Sequence, residues 1–437
     1  MTSLWELFSK DEFRQAINEC NNLSTSGPDK LTWQYLKIIL KQNVCLIKII
    51  NIADTCINLE YWPNYFKCST IVVIPKPNKL AYDQPKFFHP IVFLNTLGKL
   101  IKKVIMERLQ FLIVKNDFIH PSQLGSLKFK FTTDVDVALT HIVWSGWVKN
   151  KTTSILVFDI AQFFLSLNHR LLTLILEKAG LKLKVALFFA DYLVRRKTNY
   201  TWNDISSPSF EVNVGVGQES ALSPILSALY LSPFLYILEK HQKNLNIPVS
   251  LISFMDDGLI ISQNNLIDIL NSYLFYSYNV LTKLLDKFGL IIEHSKTETF
   301  HFNRTHRVFN LPLLNLSPFG GPILYPKDSW KYLGFIFNRK LIFYQYINYY
   351  SNKAISTSNT WSSLEIHCKE STQSKNAYCI DVTYFPSLYM VFKYGFTTKL
   401  LYRTTWKSWE KCREELLFGY WEPSKHHLWK VLKLSWV

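Results

Sequence analysis

At 437 residues the chain is long enough to bury a sizeable core and to hold two or three subdomains. Hydrophobic residues make up 48% and charged residues 19%, a globular composition that excludes a disordered chain. A formal charge of +16 favours a polyanionic partner, since basic side chains release counterions from phosphate, while seven cysteines without a CxxC pair suggest neither a zinc site nor a disulfide framework.

A helical pattern over residues 4–22 carries charges throughout, lacks an apolar signal core, and ends in the turn Ser24-Thr25-Ser26-Gly27-Pro28. A second runs from 31 to about 59. Its apolar stretch is interrupted by Lys37, Lys41, Gln42, Asn43 and Lys48, and no apolar run is expected to reach the ~20 residues that span a membrane. Residues 70–74 form a β-rich run that stops at Pro75 and Pro77, followed by a basic loop with Lys76 and Lys79. Helical patterns return at 97–114 and 134–149. Residues 154–160 read as a buried strand and 171–179 as a helix after it. Residues 221–241 form a long apolar helix entered through Ser220 and Ser223-Pro224. Two short strands, 251–254 and 259–262, flank Met255-Asp256-Asp257-Gly258, a hairpin signature. This order suits an α+β domain with an antiparallel sheet and helices on one face.

Asp256 and Asp257 stand side by side between apolar strands, where two carboxylates repel each other unless water or a cation neutralises them. Taken alone, Asp-Asp-Gly is more often a solvated turn. Asp159 changes that weighing, because it ends the apolar run Ile155-Leu156-Val157-Phe158. If the two strands are neighbours, Asp159 and Asp256 converge on an oxygen-rich site. Mg2+ suits such a site, taking one or two carboxylates plus substrate phosphates. Two ions ~3.5–4 Å apart would activate a 3′-hydroxyl and stabilise a leaving pyrophosphate. The bland alternative is that Asp159 only caps a strand.

Here the residues carry a resemblance. Val157-Phe158-Asp159-Ile160-Ala161-Gln162-Phe163-Phe164 resembles motif A of reverse transcriptases, in the form used by fungal LINE-like (non-LTR) retrotransposons. Gly215-Val216-Gly217-Gln218-Glu219-Ser220-Ala221-Leu222-Ser223-Pro224 resembles motif B, and Phe254-Met255-Asp256-Asp257 resembles motif C. Further likenesses lie at Ser26-Gly27-Pro28-Asp29-Lys30, at Ile74-Pro75-Lys76-Pro77-Asn78-Lys79, at Phe88-His89-Pro90-Ile91, and at Lys296-Thr297-Glu298 and Tyr332-Leu333-Gly334. They occur in the family's order over about residues 24–357.

The resemblance implies a right-hand polymerase: an N-terminal helical extension at 1–23, fingers at 24–150, palm at 151–300, and primer grip with the start of a thumb at 301–357. It makes Asp159, Asp256 and Asp257 the catalytic metal ligands for two Mg2+ ions. Lys76, Lys79, Phe164, Gln218 and Lys296 become nucleotide-binding residues, with Phe164 as a steric gate against a ribonucleotide 2′-hydroxyl. Tyr332, Leu333 and Gly334 become the primer grip. The implied partners are an RNA template, a DNA primer and deoxynucleoside triphosphates, with no membrane and no protein partner. The expected place of action is intracellular, cytoplasmic or nuclear. By position alone Phe164 is a core phenylalanine, and Lys76 and Lys79 sit in a solvated loop.

Three departures break the pattern. His89 stands where the family has arginine, and an imidazole cannot offer a bidentate fork to phosphate. Glu219 stands where motif B has glycine, adding bulk and negative charge beside phosphates. Either change costs about 2–4 kcal/mol of transition-state stabilisation, by analogy with lost preorganised donors. Phe131 replaces a small polar residue before Thr132-Thr133. After about Thr357 the resemblance to the family's thumb ends. Codons read one base out of register across 382–392 and 410–416 permit strings like those the family carries there. The expectation is a one-base shift near 356–358, leaving 358–437 as out-of-frame sequence. No endonuclease region is expected ahead of the first motif. The chain is thus expected to be a degenerate reverse transcriptase of low activity. One rival is a catalytically inactive nucleic-acid-binding remnant; another, an RNA-dependent RNA polymerase, is opposed by Phe164.

Overall fold

The computed structural model describes residues 5–77, 81–84, 87–202, 205–217, 219–304, 312–353 and 356. Lys79, Gln218 and the expected out-of-frame tail lie outside the described residues. The chain divides into two units, one of residues through His301 with Thr305–Pro326, the other of Phe302–Arg304 and the chain from Lys327.

The strands in chain order are β1 (Cys68–Pro75), β2 (Phe88–Leu94), β3 (Thr152–Asp159), β4 (Arg196–Trp202), β5 (Ile205–Ser206), β6 (Phe210–Val212), β7 (Val249–Phe254), β8 (Asp257–Asn264) and β9 (Glu298–Phe302). One sheet has the order β2-β1-β4-β5, with β6 on β4. Its β1–β2 pair is antiparallel, with Ile74 opposite His89, while β4 joins β1 in parallel. Pro90, which has no N–H to donate, is tolerated because β2 is an edge strand. The other sheet runs β7-β8-β3-β9, antiparallel across β7, β8 and β3. Two short strands, β10 (Leu314–Asn315) and β11 (Ile323–Leu324), make a separate ribbon.

β3 is central because its apolar run is covered on both faces; Ile155, Leu156, Val157 and Phe158 are all buried. The helix Ile267–Lys287 packs on β3 and β8. The helix Leu222–Asn244 is the most buried of the described helices, packing on Ile267–Lys287, His169–Lys178 and Thr96–Lys115. It corrects one expectation: over its 23 residues it is long and apolar enough, by length and composition, to cross a membrane, but 72% of its most apolar window is buried inside the protein. Ser223 and Pro224 sit in its first turn, where a missing N–H costs nothing. The helix expected at 31–59 is two, Trp33–Ile39 and Asn43–Asn58, because the polar Lys41-Gln42 turn interrupts the pattern. The N-terminal helix shrinks to Lys10–Asn18, set by a capping box between Ser9 and Glu12, and Arg108 Nη2 donates to Glu12 Oε2 at 2.7 Å.

The Ser26–Lys30 element is architectural. Asp29 Oδ2 accepts from Thr96 N at 2.6 Å, satisfying a free donor at the start of helix Thr96–Lys115. A Cβ on Gly27 would lie 2.0 Å from the Leu94 carbonyl oxygen, so only glycine lets that turn approach β2.

That helix also buries Lys102, 2% exposed. Burial, with the charges of Lys99 and Arg196 beside it, pushes the Lys102 ammonium down to about 7. An unfolded lysine keeps its proton to about pH 10.4. Between those values the unfolded chain binds more protons, so this group's penalty is full below about pH 7 and fades as pH rises. Lys102→Met is therefore expected to stabilise the fold at pH 7 by on the order of 1–3 kcal/mol. The gain should shrink toward pH 10 in denaturant melts. A variant less stable than wild type at pH 7 would show that Lys102 has a buried partner.

In the second unit β12 (Ser329–Tyr332) and β13 (Phe335–Asn338) form a hairpin. Its two turn residues, Leu333 at φ +46° and Gly334 at φ +91°, both take positive φ, as a type I′ turn requires. Tyr332 is buried and stacks on Trp330 at 4.8 Å, so its ring packs the core of this unit.

Candidate active site

The two strands that carry the sequence-predicted carboxylates are neighbours. Asp159, the last residue of β3, pairs directly with Asp257, the first of β8, and Asp257 pairs with Phe254 of β7. Residues directly opposite in an antiparallel pair have Cα atoms about 4.5–5.5 Å apart, so the carboxylates share one small volume. The hairpin differs in detail from the sequence expectation. Its turn is only Met255-Asp256, and Asp257 and Gly258 belong to the strand. Gly258 is not a turn glycine: a Cβ there would lie 2.0 Å from the Phe158 ring on the facing strand.

Asp159 is 6% exposed. Its carbonyl accepts from Glu293 N at 2.9 Å, and Ala161 N donates to Ile291 O at 2.8 Å, which anchors the strand end on the side away from β8. That same segment brings Lys296, whose Nζ donates to Asp159 Oδ2 at 2.8 Å. Asp159 in turn raises the Lys296 ammonium above its ordinary range. Burial, reinforced by the negative charge of Asp159, raises the Asp256 carboxyl. Asp257 is pushed up to about 7, first by burial, then by Asp256 and Asp159. Carboxylates raised by one another are groups that gain from added positive charge.

Among the described residues no three His, Cys, Asp or Glu side chains close into a ready-made cage for an ion. The donor set nonetheless fits Mg2+, which keeps several waters and takes one or two carboxylates together with phosphate oxygens.

Motifs A and B are joined through the backbone. Val216 N donates to Phe164 O at 2.6 Å and Gly215 N to Leu167 O at 3.0 Å. Gly215, at φ +68°, would place a Cβ 2.5 Å from Leu165 Cα, so the close approach needs glycine. Arg196 donates to the carbonyls of Val214 and Gly215 at 2.5 and 2.7 Å, and the His169 ring meets Gly215 O at 2.7 Å. Neither Arg196 nor His169 was singled out from the sequence, since each is a lone polar residue whose partner is a distant carbonyl.

Phe164 is half-buried and lines a cavity of about 720 Å³ with Trp33, His89, Lys99, Glu219 and Ser220. His89 and Glu219, the two departures expected to carry a cost, therefore face the space that Phe164 borders. Glu219 has φ +62°, the left-handed region that favours glycine, which is the residue the motif calls for. Lys76 lies just past β1, its N–H donating to Phe87 O at 2.9 Å. Phe131 is 60% exposed in a loop with Lys128, Phe129 and Lys130.

Helices and antiparallel sheet make an α+β fold in which neighbouring strands present the acidic residues together. Residues 74–337 match the reverse transcriptase (RNA-dependent DNA polymerase) family, and the chain belongs to it. It is similar to the RNA-directed DNA polymerase from mobile element jockey of Drosophila funebris, at 22% identity over 77% of this chain and 36% of that one. It is also similar to the probable RNA-directed DNA polymerase from transposon X-element of Drosophila melanogaster, at 23% over 51% and 24%. The chain spans 24–36% of the length of these curated relatives. Among solved structures, telomerase from Candida albicans with a fragment of telomeric RNA gives a TM-score of 0.46 at 13% identity, covering 85% of this chain and 67% of that one. Apo telomerase from Candida tropicalis gives 0.43 at 14%, covering 64% and 55%.

Proposed function

We propose that this chain is the RNA-directed DNA polymerase domain of a LINE-like element of fungal type, adding deoxynucleotides to a primer 3′-hydroxyl on an RNA template, and that this copy is degenerate and of low activity. The register of Asp159 against Asp257 carries the proposal, because it gathers three acidic side chains from distant parts of the chain. Asp159, Asp256 and Asp257 are the ligands for two Mg2+ ions, which when bound activate the hydroxyl and neutralise charge on the leaving pyrophosphate. The protein's part is positional. Phe164 excludes a 2′-hydroxyl from the cavity edge; Lys76 and Lys79 meet the triphosphate; Gln218 contacts the nascent base pair. Lys296, already beside the carboxylates, meets the incoming nucleotide, and Tyr332, Leu333 and Gly334 hold the primer end. In this scheme residues 24–150 are the fingers, 151–300 the palm and 301–357 the primer grip with the start of the thumb. The chain acts in the cytoplasm or nucleus, and 358–437 is out-of-frame sequence. The strained, acidic Glu219 and the missing arginine at His89 support low activity, and they equally favour a second reading, an inactive remnant that still binds nucleic acid.

Primer extension on an RNA template with deoxynucleotides and Mg2+ tests the proposal, run beside a salt titration of RNA binding. Extension supports the polymerase. Binding that weakens steeply with salt, without extension, supports the remnant, and salt-insensitive binding without extension overturns both. In an active preparation Phe164→Ala is expected to raise ribonucleotide use about 10–100-fold relative to deoxynucleotide use. Unchanged selectivity would make Phe164 a core residue only.

A further inference from the structure

The loop between helices Thr96–Lys115 and Thr132–Val148 holds a buried amide to which no motif above gives a role. Gln123 is 2% exposed, and both ends of its side chain grip the turn that presents Asp256. Its Oε1 accepts from Met255 N at 3.0 Å and from Gly125 N at 2.9 Å. Its Nε2 donates to Met255 O and to Ser253 Oγ, each at 3.3 Å. The Ser253 hydroxyl donates to the same Met255 carbonyl at 3.2 Å. Around this amide the two backbones are locked together, Ser253 N donating to Ser122 O and Leu124 N to Ser253 O, both at 2.8 Å.

Two features show that this grip matters to the turn. Met255 has φ +57°, a conformation that a side-chain-bearing residue keeps only when its surroundings over-determine it. Gly125 passes so close that a Cβ there would lie 2.5 Å from Met255 N. Met255 has one backbone donor and one backbone acceptor, and Gln123 engages both. The next residue is Asp256, so any tilt of the Met255 peptide displaces that carboxylate from Asp159. Sites of this kind require ligands held within about 0.5 Å of the productive geometry.

We propose that Gln123 is a positioning residue that fixes the Met255–Asp256 turn and thereby sets the separation of the metal-binding carboxylates. The inference rests on the polymerase reading of those carboxylates. It says that the hairpin turn, though only two residues long, does not hold its own shape and borrows it from a loop more than a hundred residues upstream.

The test uses the full chain and Mn2+ as the probe, with binding measured by calorimetry, alongside thermal melts and primer-extension kinetics. Gln123→Met keeps the volume and removes all four hydrogen bonds; Gln123→Glu keeps the acceptor and loses the donor. Mn2+ affinity is expected to fall about 10–100-fold in Gln123→Met and less in Gln123→Glu, as for other residues that orient metal ligands. In any preparation that extends primers, kcat should fall with it while KM for deoxynucleotide stays within about twofold. Folded Gln123→Met that binds Mn2+ as wild type does overturns the inference. If that variant does not fold, the same result from Gln123→Glu does so. Wild type that binds Mn2+ no better than Asp256→Asn fails at the earlier step, removing the polymerase reading itself.

Discussion

Asp159→Asn and Asp256→Asn are each expected to abolish RNA-templated primer extension, a loss of at least about a hundredfold. Both replacements keep the shape of the side chain and remove its charge, so the loss isolates electrostatics from packing. The same logic predicts an opposite sign for stability. Asp257 is raised to about 7 because it is half-buried beside Asp256 and Asp159, which means that the metal-free fold holds these charges together at a cost. Asp257→Asn should therefore raise the melting temperature of the metal-free protein by a few degrees, roughly 1 kcal/mol, while removing extension. Added Mg2+ should stabilise wild type and leave the variant nearly unmoved. Loss of extension together with loss of stability would mean that these aspartates hold the fold rather than a cation. Asp159 is the sharper control, because its carboxylate is the one hydrogen-bonded to Lys296, which feels Asp256 and Asp257 only through their charge.

Much of this geometry is legible in the sequence. The run Ile155-Leu156-Val157-Phe158 could only be a covered strand, and an acidic pair between apolar strands had few stable alternatives to a hairpin. Local pattern was enough for both. It was not enough to place Asp257 in the strand rather than the turn, since that depends on Gly258 making room for a ring on another strand. Nor did it show β4, whose Arg196-Lys197-Thr198-Asn199 run is polar and pairs in parallel with β1 from far away in sequence. The helix Ile267–Lys287 also went unmarked. The contact of Lys296 with Asp159 and that of Gln123 with Met255 left no sequence signal either. A single side chain that meets a distant atom has no periodicity, and only the folded register creates the partner.

The departures from the family pattern yield the other large effect. Glu219→Gly is expected to raise primer extension about 10–100-fold, and to stabilise the fold by roughly 1 kcal/mol. Two separate causes act at that residue. Its φ of +62° strains any residue with a Cβ, and its carboxylate offsets the positive charge of Lys99, a cation lining the same cavity. Glu219→Ala separates them: it removes the charge and leaves the strain, so it should recover part of the activity and little of the stability. His89→Arg restores a guanidinium to the same cavity wall, and because His89 and Glu219 border one space their effects should not simply add. If Glu219→Gly gains stability but no activity, the proposed loss of activity does not arise in this cavity. If it gains neither, the positive φ at Glu219 carries little cost in this turn, and the acidic side chain is a tolerated passenger rather than the lesion.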